Sequence, residues 1–213
     1  MYTTYWTQTM QDKKATILEN QKFYGKGTDG ITRLYSFFDY SYLPTAAAGN
    51  QEFFAKRGSL NGVTRVYFLV SSGTASASEL LINNLKPVMD VKLIGKKTYG
   101  KPVGFFSLRI DKYDLYIPQF QTKNSANFGD YFDGMAVDKD VTDPATKDFG
   151  DETDPLLAQA LYYSTNGNFS ALSNNNNYLS STSAVAKQFN EAANEKIDHE
   201  FKGMIETRKL KLK

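Results

Sequence analysis

The chain has 213 residues, 41% of them hydrophobic and 23% charged, a length that suits one core-forming domain with an appendage. Its net charge of +2, with Lys and Arg scattered except in the last few residues, gives no basis for a nucleic-acid surface. It contains no cysteine, which excludes disulfides, zinc–thiolate sites and cysteine nucleophiles.

The predicted elements run as follows. Thr4 to Asn20 is expected to form a helix with Tyr5, Trp6, Met10, Ile17 and Leu18 as its apolar positions. The opening Met1 to Lys14 has no apolar run of the signal-peptide kind. Gly25, Gly27 and Gly30 mark turns, Ile31 to Tyr42 is aromatic and β-prone, and Thr45 to Gly49 reads as a loop. Thr64 to Ser71 reads as a buried strand, and its core, Val66 to Val70, is far short of the ~20 apolar residues that span a bilayer. Ser72 to Ala75 is a small-residue turn, followed by a predicted helix over Ser76 to Met89 with Leu80, Leu81, Leu85 and Val88 on one face. Val91 to Gly95 is a second strand. Val103 to Ile110 and Tyr113 to Gln121 are two more, joined by a tight Asp111-Lys112 turn. Strand, helix and strand at this spacing predict a parallel pair in an α/β core. Asp154 is a good N-cap, and Pro155 at the first helical position opens a helix over Leu156 to Tyr163.

The composition then changes. Residues 164–183, with Asn174 to Asn177 at their centre, read as an Asn/Ser-rich linker or loop. Residues 184–213 read as an amphipathic helix and basic tail, with Val185, Phe189, Ala193, Ile197, Phe201 and Ile205 forming an apolar stripe. Docking of that stripe onto the core is the favoured reading, and a partner-binding or dimerisation helix is the alternative. The expected organisation is therefore a core over 1–163, then the linker, then the tail helix.

The composition also limits the chemistry. A Ser-His-Asp triad needs a histidine, and His199 stands alone among charged neighbours off the apolar stripe, where a solvated surface role is expected. Metal ligation by His or Cys clusters has no residues to draw on. Gly-x-Ser-x-Gly, Ser-x-x-Lys and phosphate-loop motifs do not occur. Two segments remain. Ser71 to Glu79 lies between a buried strand and a helix, where small residues admit a substrate backbone and free N–H groups suit an oxyanion. On this segment alone an ordinary N-cap with a first-turn Glu79 is the simpler reading. Thr98-Tyr99-Gly100-Lys101 follows the next strand, in a turn that could aim the lysine back at the helix start. A lysine serves as a base when desolvation lowers its reference pKa of about 10.4. Composition by itself leaves Lys101 equally readable as a surface lysine.

These segments in order, Gly73 to Glu79, Leu80 to Leu85, Val91 to Gly95 and Thr98 to Lys101, resemble the central signature of the carboxyl-terminal processing (tail-specific) peptidases. Asp133 to Asp138 is similar to that family's later Asp-Gly-Ile-x-Pro-Asp motif, with Val137 in the proline position. The resemblance covers about Arg65 to Tyr163 and is closest to the versions in exported bacterial lipoproteins. It implies a crotonase-like, ClpP-like α/β core, with Ser76 as nucleophile and Lys101, 25 positions on, as general base. It further implies an oxyanion donor at the Ala77 N–H, substrate-binding backbone at Gly73 and Thr74, protein or peptide substrates, and no cofactor, metal or nucleic acid. An extracytoplasmic, cell-envelope location follows from the same resemblance, with any membrane attachment through an anchor outside this chain.

Three departures accompany the resemblance. The family often has an orienting glutamine four residues after the lysine, where this chain has Phe105. Nothing in Met1 to Gly62 matches the family's Asp-Leu-Arg strand and glycine turn, which supply a second oxyanion donor. There is no room for the PDZ-like domain that usually precedes the core. The expectation is a fragment that begins just after the glycine turn. A non-catalytic peptide-binding homologue, or an inactive fragment, is the competing functional class.

Overall fold

The computed structural model describes residues 1–171 except 56, 60, 61 and 145. The tail helix and most of the linker expected from the sequence lie outside the described residues. The chain divides into two compact units, Met1–Asp140 and Val141–Lys213.

The first unit is mixed α/β. Its chain order begins with β1 (Tyr2–Trp6), a single helical turn α1 (Gln8–Gln11) and a 3-10 turn (Thr16–Asn20). This corrects the expected helix over Thr4 to Asn20. The β-branched threonines of β1 pair antiparallel with β10 (Phe120–Asn124), Thr4 opposite Thr122, and with β4 (Gln51–Glu52). Cross-strand pairing on a half-buried surface suits Thr, Tyr and Trp better than a helix does. Next come the hairpin β2 (Lys22–Lys26) and β3 (Thr32–Ser36), then β5 (Arg65–Val70), α2 (Ala77–Leu85) and β6 (Asp90–Gly95). As the spacing predicts, β5 and β6 are parallel, with Val66 opposite Val91 and Phe68 opposite Leu93.

The helix α2 stops at Leu85, ahead of Pro87, rather than at Met89. Its buried face also differs from the expected one. Glu79, Ile82, Asn83 and Asn84 point inward, while Leu81 and Val88 are exposed. Ile82 is the apolar member of that face and joins Val70, Leu93, Tyr131 and Met135 in one core cluster. Asn83 is held by hydrogen bonds instead. Its Nδ2 donates to the Phe128 carbonyl at 2.8 Å, and its own carbonyl accepts from Asn124 Nδ2 at 2.9 Å.

The two long strands expected over 103–121 are each broken, into β7 (Val103–Gly104) and β8 (Ser107–Ile110), then β9 (Tyr113–Tyr116) and β10. The expected hairpin turn survives between β8 and β9, with Asp111 at φ 54°. At the break, the buried Gln119 side chain substitutes for the ladder: the Phe106 N–H donates to its Oε1 at 2.8 Å and its Nε2 donates to the Phe106 carbonyl at 3.3 Å. β7 then pairs with β10, giving the sheet order β4-β1-β10-β7. The short β11 (Lys139–Asp140) extends the parallel sheet as β11-β6-β5.

Aromatic rings fasten the first sheet to a second core of Met10, Leu18, Tyr42 and Leu108. Trp6 lies edge-on to Tyr42 at 5.0 Å and to Phe120 at 4.6 Å, and its indole N–H donates to Asn50 Oδ1 at 2.8 Å.

In the second unit the described helix is α3 (Pro155–Asn166). Asp154 caps it as expected, accepting from the Leu156 and Leu157 N–H groups at 3.0 and 2.9 Å, and Gly167 ends it in the left-handed conformation.

Trp6 touches three rings of the first unit, so Trp6→Ala should destabilise the protein by about 3 kcal/mol, the lower end for a large aromatic because the ring is not fully buried. Urea unfolding followed by circular dichroism measures it. A loss under about 1 kcal/mol would mean that the aromatic cluster does not anchor β1.

Candidate active site

Ser76 stands on the sharp turn between β5 and α2, immediately before the first helical residue, Ala77. Its backbone has φ 54° and ψ −113°, a conformation that a residue with a Cβ adopts only under strain. The turn is held on both sides. The Thr74 N–H donates to the Ser71 carbonyl at 3.0 Å, and the Tyr99 N–H donates to the Thr74 carbonyl at 2.9 Å. Ser76 and Ala77 are both exposed.

The main fastening is Glu79. The sequence reading treats it as a first-turn cap, and it does accept the Ser76 N–H at 3.0 Å through Oε2. The structure adds three donors from the turn after β6: the Thr98 hydroxyl at 2.6 Å and the Gly100 N–H at 2.7 Å on Oε1, and the Lys101 N–H at 2.8 Å on Oε2. The residue is completely buried. A buried carboxyl group is tolerable only when its oxygens are satisfied, and here each receives two donors. The same side chain thus fixes the backbone at Ser76 and at Lys101. Sequence alone carries no sign of this double role, because a Glu at the third helical position has a sufficient local use.

The Thr98–Lys101 turn rests in turn on the Asp133–Asp138 segment. Thr98 Oγ1 accepts the Met135 N–H at 2.7 Å. Gly100 has φ 94°, and a Cβ there would lie 2.2 Å from the Phe132 carbonyl oxygen, so only glycine fits. Asp138 Oδ2 accepts the Leu93 N–H at 2.7 Å, tying the segment to β6.

Ser76, Ala77 and Lys101 line one cleft of about 150 Å³ together with Leu80, Pro102, Val103, Gly104, Phe120, Thr122 and Tyr131. Gly73 and Thr74 are not among its lining residues. They lie in the preceding turn, with the Gly73 N–H on Ser71 Oγ at 3.2 Å and the Thr74 hydroxyl accepting the Ser71 N–H at 3.0 Å. Sequence reasoning missed Phe120, Thr122 and Tyr131, which come from β10 and the segment after it. Burial, with the Glu79 carboxylate adding in the same direction, pushes the Tyr131 hydroxyl up to about 12, so it remains a neutral O–H. Thr122 is the polar group beside it, although the two form no contact of good hydrogen-bond geometry. Lys101 Nζ lies 4.8 Å from the centre of the Phe105 ring. Among the described residues no group of three or more His, Asp or Glu side chains is placed to hold a metal ion.

A serine at the start of a helix and a lysine thus line one small cleft, their backbones joined by a shared buried carboxylate. The family profile described as Peptidase family S41 matches residues 20–142, more than half of the chain, and the chain belongs to that family. Among solved structures it is similar to a candidate S41 protease from Bacteroides fragilis, at 20% identity over 75% of this chain and 41% of that one, with a TM-score of 0.47. It is also similar to a photosystem II D1 C-terminal processing protease, at 20% identity over 61% of this chain and 30% of that one, with a TM-score of 0.35. The chain therefore spans less than half the length of either. No curated protein matches it.

Glu79→Gln keeps the shape but replaces one acceptor oxygen by an N–H₂ group, which faces two donors that can no longer be satisfied. Each orphaned buried donor costs about 1–3 kcal/mol, so the variant should lose at least about 2 kcal/mol in urea unfolding. Stability within about 0.5 kcal/mol of wild type would show that the carboxylate does not hold the two segments.

Proposed function

We propose that this chain is the catalytic part of a serine endopeptidase that cleaves protein substrates near their carboxyl ends through a Ser76–Lys101 dyad. The observation that carries the reading is the single cleft lined by both residues, which stand 25 positions apart in sequence. Membership of the S41 family supports peptidase chemistry, and the resemblance of Gly73–Glu79 and Thr98–Lys101 to the tail-specific signature supports the cleavage class.

In this reading Ser76 Oγ attacks the scissile carbonyl carbon. Its proton passes to the lone pair of Lys101 Nζ, the carbonyl electron pair moves onto oxygen, and the Ala77 N–H at the positive end of α2 stabilises that oxyanion. Collapse breaks the C–N bond, Lys101 returns the proton to the leaving amine, and water hydrolyses the acyl-enzyme by the same steps. The strained backbone of Ser76 at a strand-to-helix turn supports the role, since nucleophile elbows share that strain. The proposed fold is crotonase-like, and the proposed location is the cell envelope, as the family signature suggests. No cofactor takes part.

The reading is tested with a serine-acylating probe and with casein hydrolysis. Ser76→Ala should abolish labelling, and Lys101→Met should lower both activities by about 10²–10⁴-fold while the protein stays folded. His199→Gln should change neither. Labelling that survives in Lys101→Met, or is lost in His199→Gln, would overturn the dyad. A protein that binds peptides without labelling or turnover would belong to the binding class instead.

A further inference from the structure

Lys101 is held through both its backbone and its side chain. Its backbone N–H is bound by Glu79, and its Nζ lies over the face of Phe105, 4.8 Å from the ring centre. The Phe105 ring is itself braced. Tyr116, at the end of β9, meets it edge-on at 5.8 Å with the ring planes 74° apart. The next residue, Phe106, has its backbone clamped by Gln119 and its ring stacked on Phe37 at 4.6 Å, which fixes the chain that carries Phe105.

We infer that Phe105 is a positioning residue for Lys101, whose ring face receives the lysine ammonium formed when Ser76 gives up its proton. This rests on the dyad reading above. The proton transfer turns a neutral amine into a cation, and a ring face stabilises the cation and not the amine. The interaction is therefore stronger after the transfer than before it, which is the condition for lowering a barrier. A ring also offers no oxygen to take the proton. A carboxylate in the same place would compete with Ser76 for the Nζ hydrogens and hold the lysine as an ion pair. The aromatic face orients the side chain without competing for its proton.

The test uses the full chain with Phe105→Leu and Phe105→Met, two apolar replacements without a ring, and Phe105→Tyr, which keeps the ring. NMR of the lysine side-chain methylenes should show the Lys101 Hε resonance shifted upfield by the ring in wild type and in Phe105→Tyr. The shift should vanish in whichever non-aromatic variants fold. The probe-acylation rate at saturation should fall about 3- to 30-fold in the non-aromatic variants, with the half-saturating concentration unchanged, and should be retained in Phe105→Tyr. An unshifted Lys101 resonance in wild type, or one that persists without the ring, would overturn the inference whatever the activity. A lost shift with an unchanged acylation rate would overturn it too. Failure of the dyad is read separately, from labelling that survives in Lys101→Met.

Discussion

The buried carboxylate of Glu79 is the constraint on which the rest of the cleft depends. Its oxygens gather donors from two segments that are distant in sequence, the start of α2 and the turn after β6. Hydrogen bonds to a charged acceptor are short and directional, and in a dry interior they weaken little by screening. Side-chain packing alone would tolerate sliding of one turn past the other. Paired donors on both oxygens do not. The relative position of Ser76 and Lys101 is thereby set through backbone N–H groups.

The parallel sheet supplies the frame for that contact. β5 and β6 run side by side in a register that sets Val70 opposite Gly95, so the Ser76 turn and the Lys101 turn both leave from the same end of the pair. The Arg65–Asp90 ion pair clips the opposite end of the two strands, at 2.5 Å. The Asp133–Asp138 segment closes the third side, where the close backbone approach at Gly100 allows Thr98 to reach both Glu79 and the Met135 N–H. Ladder and glycine contact thus converge on one corner, while the ion pair secures the far end of the strands.

Much of this was legible from residue order. The Arg65–Val70 strand, the helix after Ser76, the second strand and the Asp154 cap all follow from apolar runs, small-residue turns and cap chemistry, which are local properties. The parts that were not legible depend on distant partners. The threonines near the amino end could join a helix or a sheet, and the strand Phe120–Asn124 decides the matter. The inward face of α2 does not follow apolar character, because Glu79 and Asn83 are buried by hydrogen bonds to segments that lie 19 to 45 positions further on. Phe120, Thr122 and Tyr131 entered the cleft unannounced for the same reason.

The two walls of the cleft differ in what they require. On one side Ser76 and Lys101 stand on directional bonds, and the strained φ of Ser76 costs on the order of 1–3 kcal/mol that the surrounding bonds must offset. On the other side Phe120 rests on Trp6, which touches Phe106, which stacks on Phe37. Stacked rings are non-directional enough to accept another aromatic of similar size, while a carboxylate with four donors accepts no substitute of different hydrogen-bonding sense. Sequence change at the aromatic wall can therefore reshape the cleft without dismantling it, and change at Glu79 cannot. The directional bonds around Glu79 and the ring contacts around Trp6 thus differ in how much sequence change each tolerates.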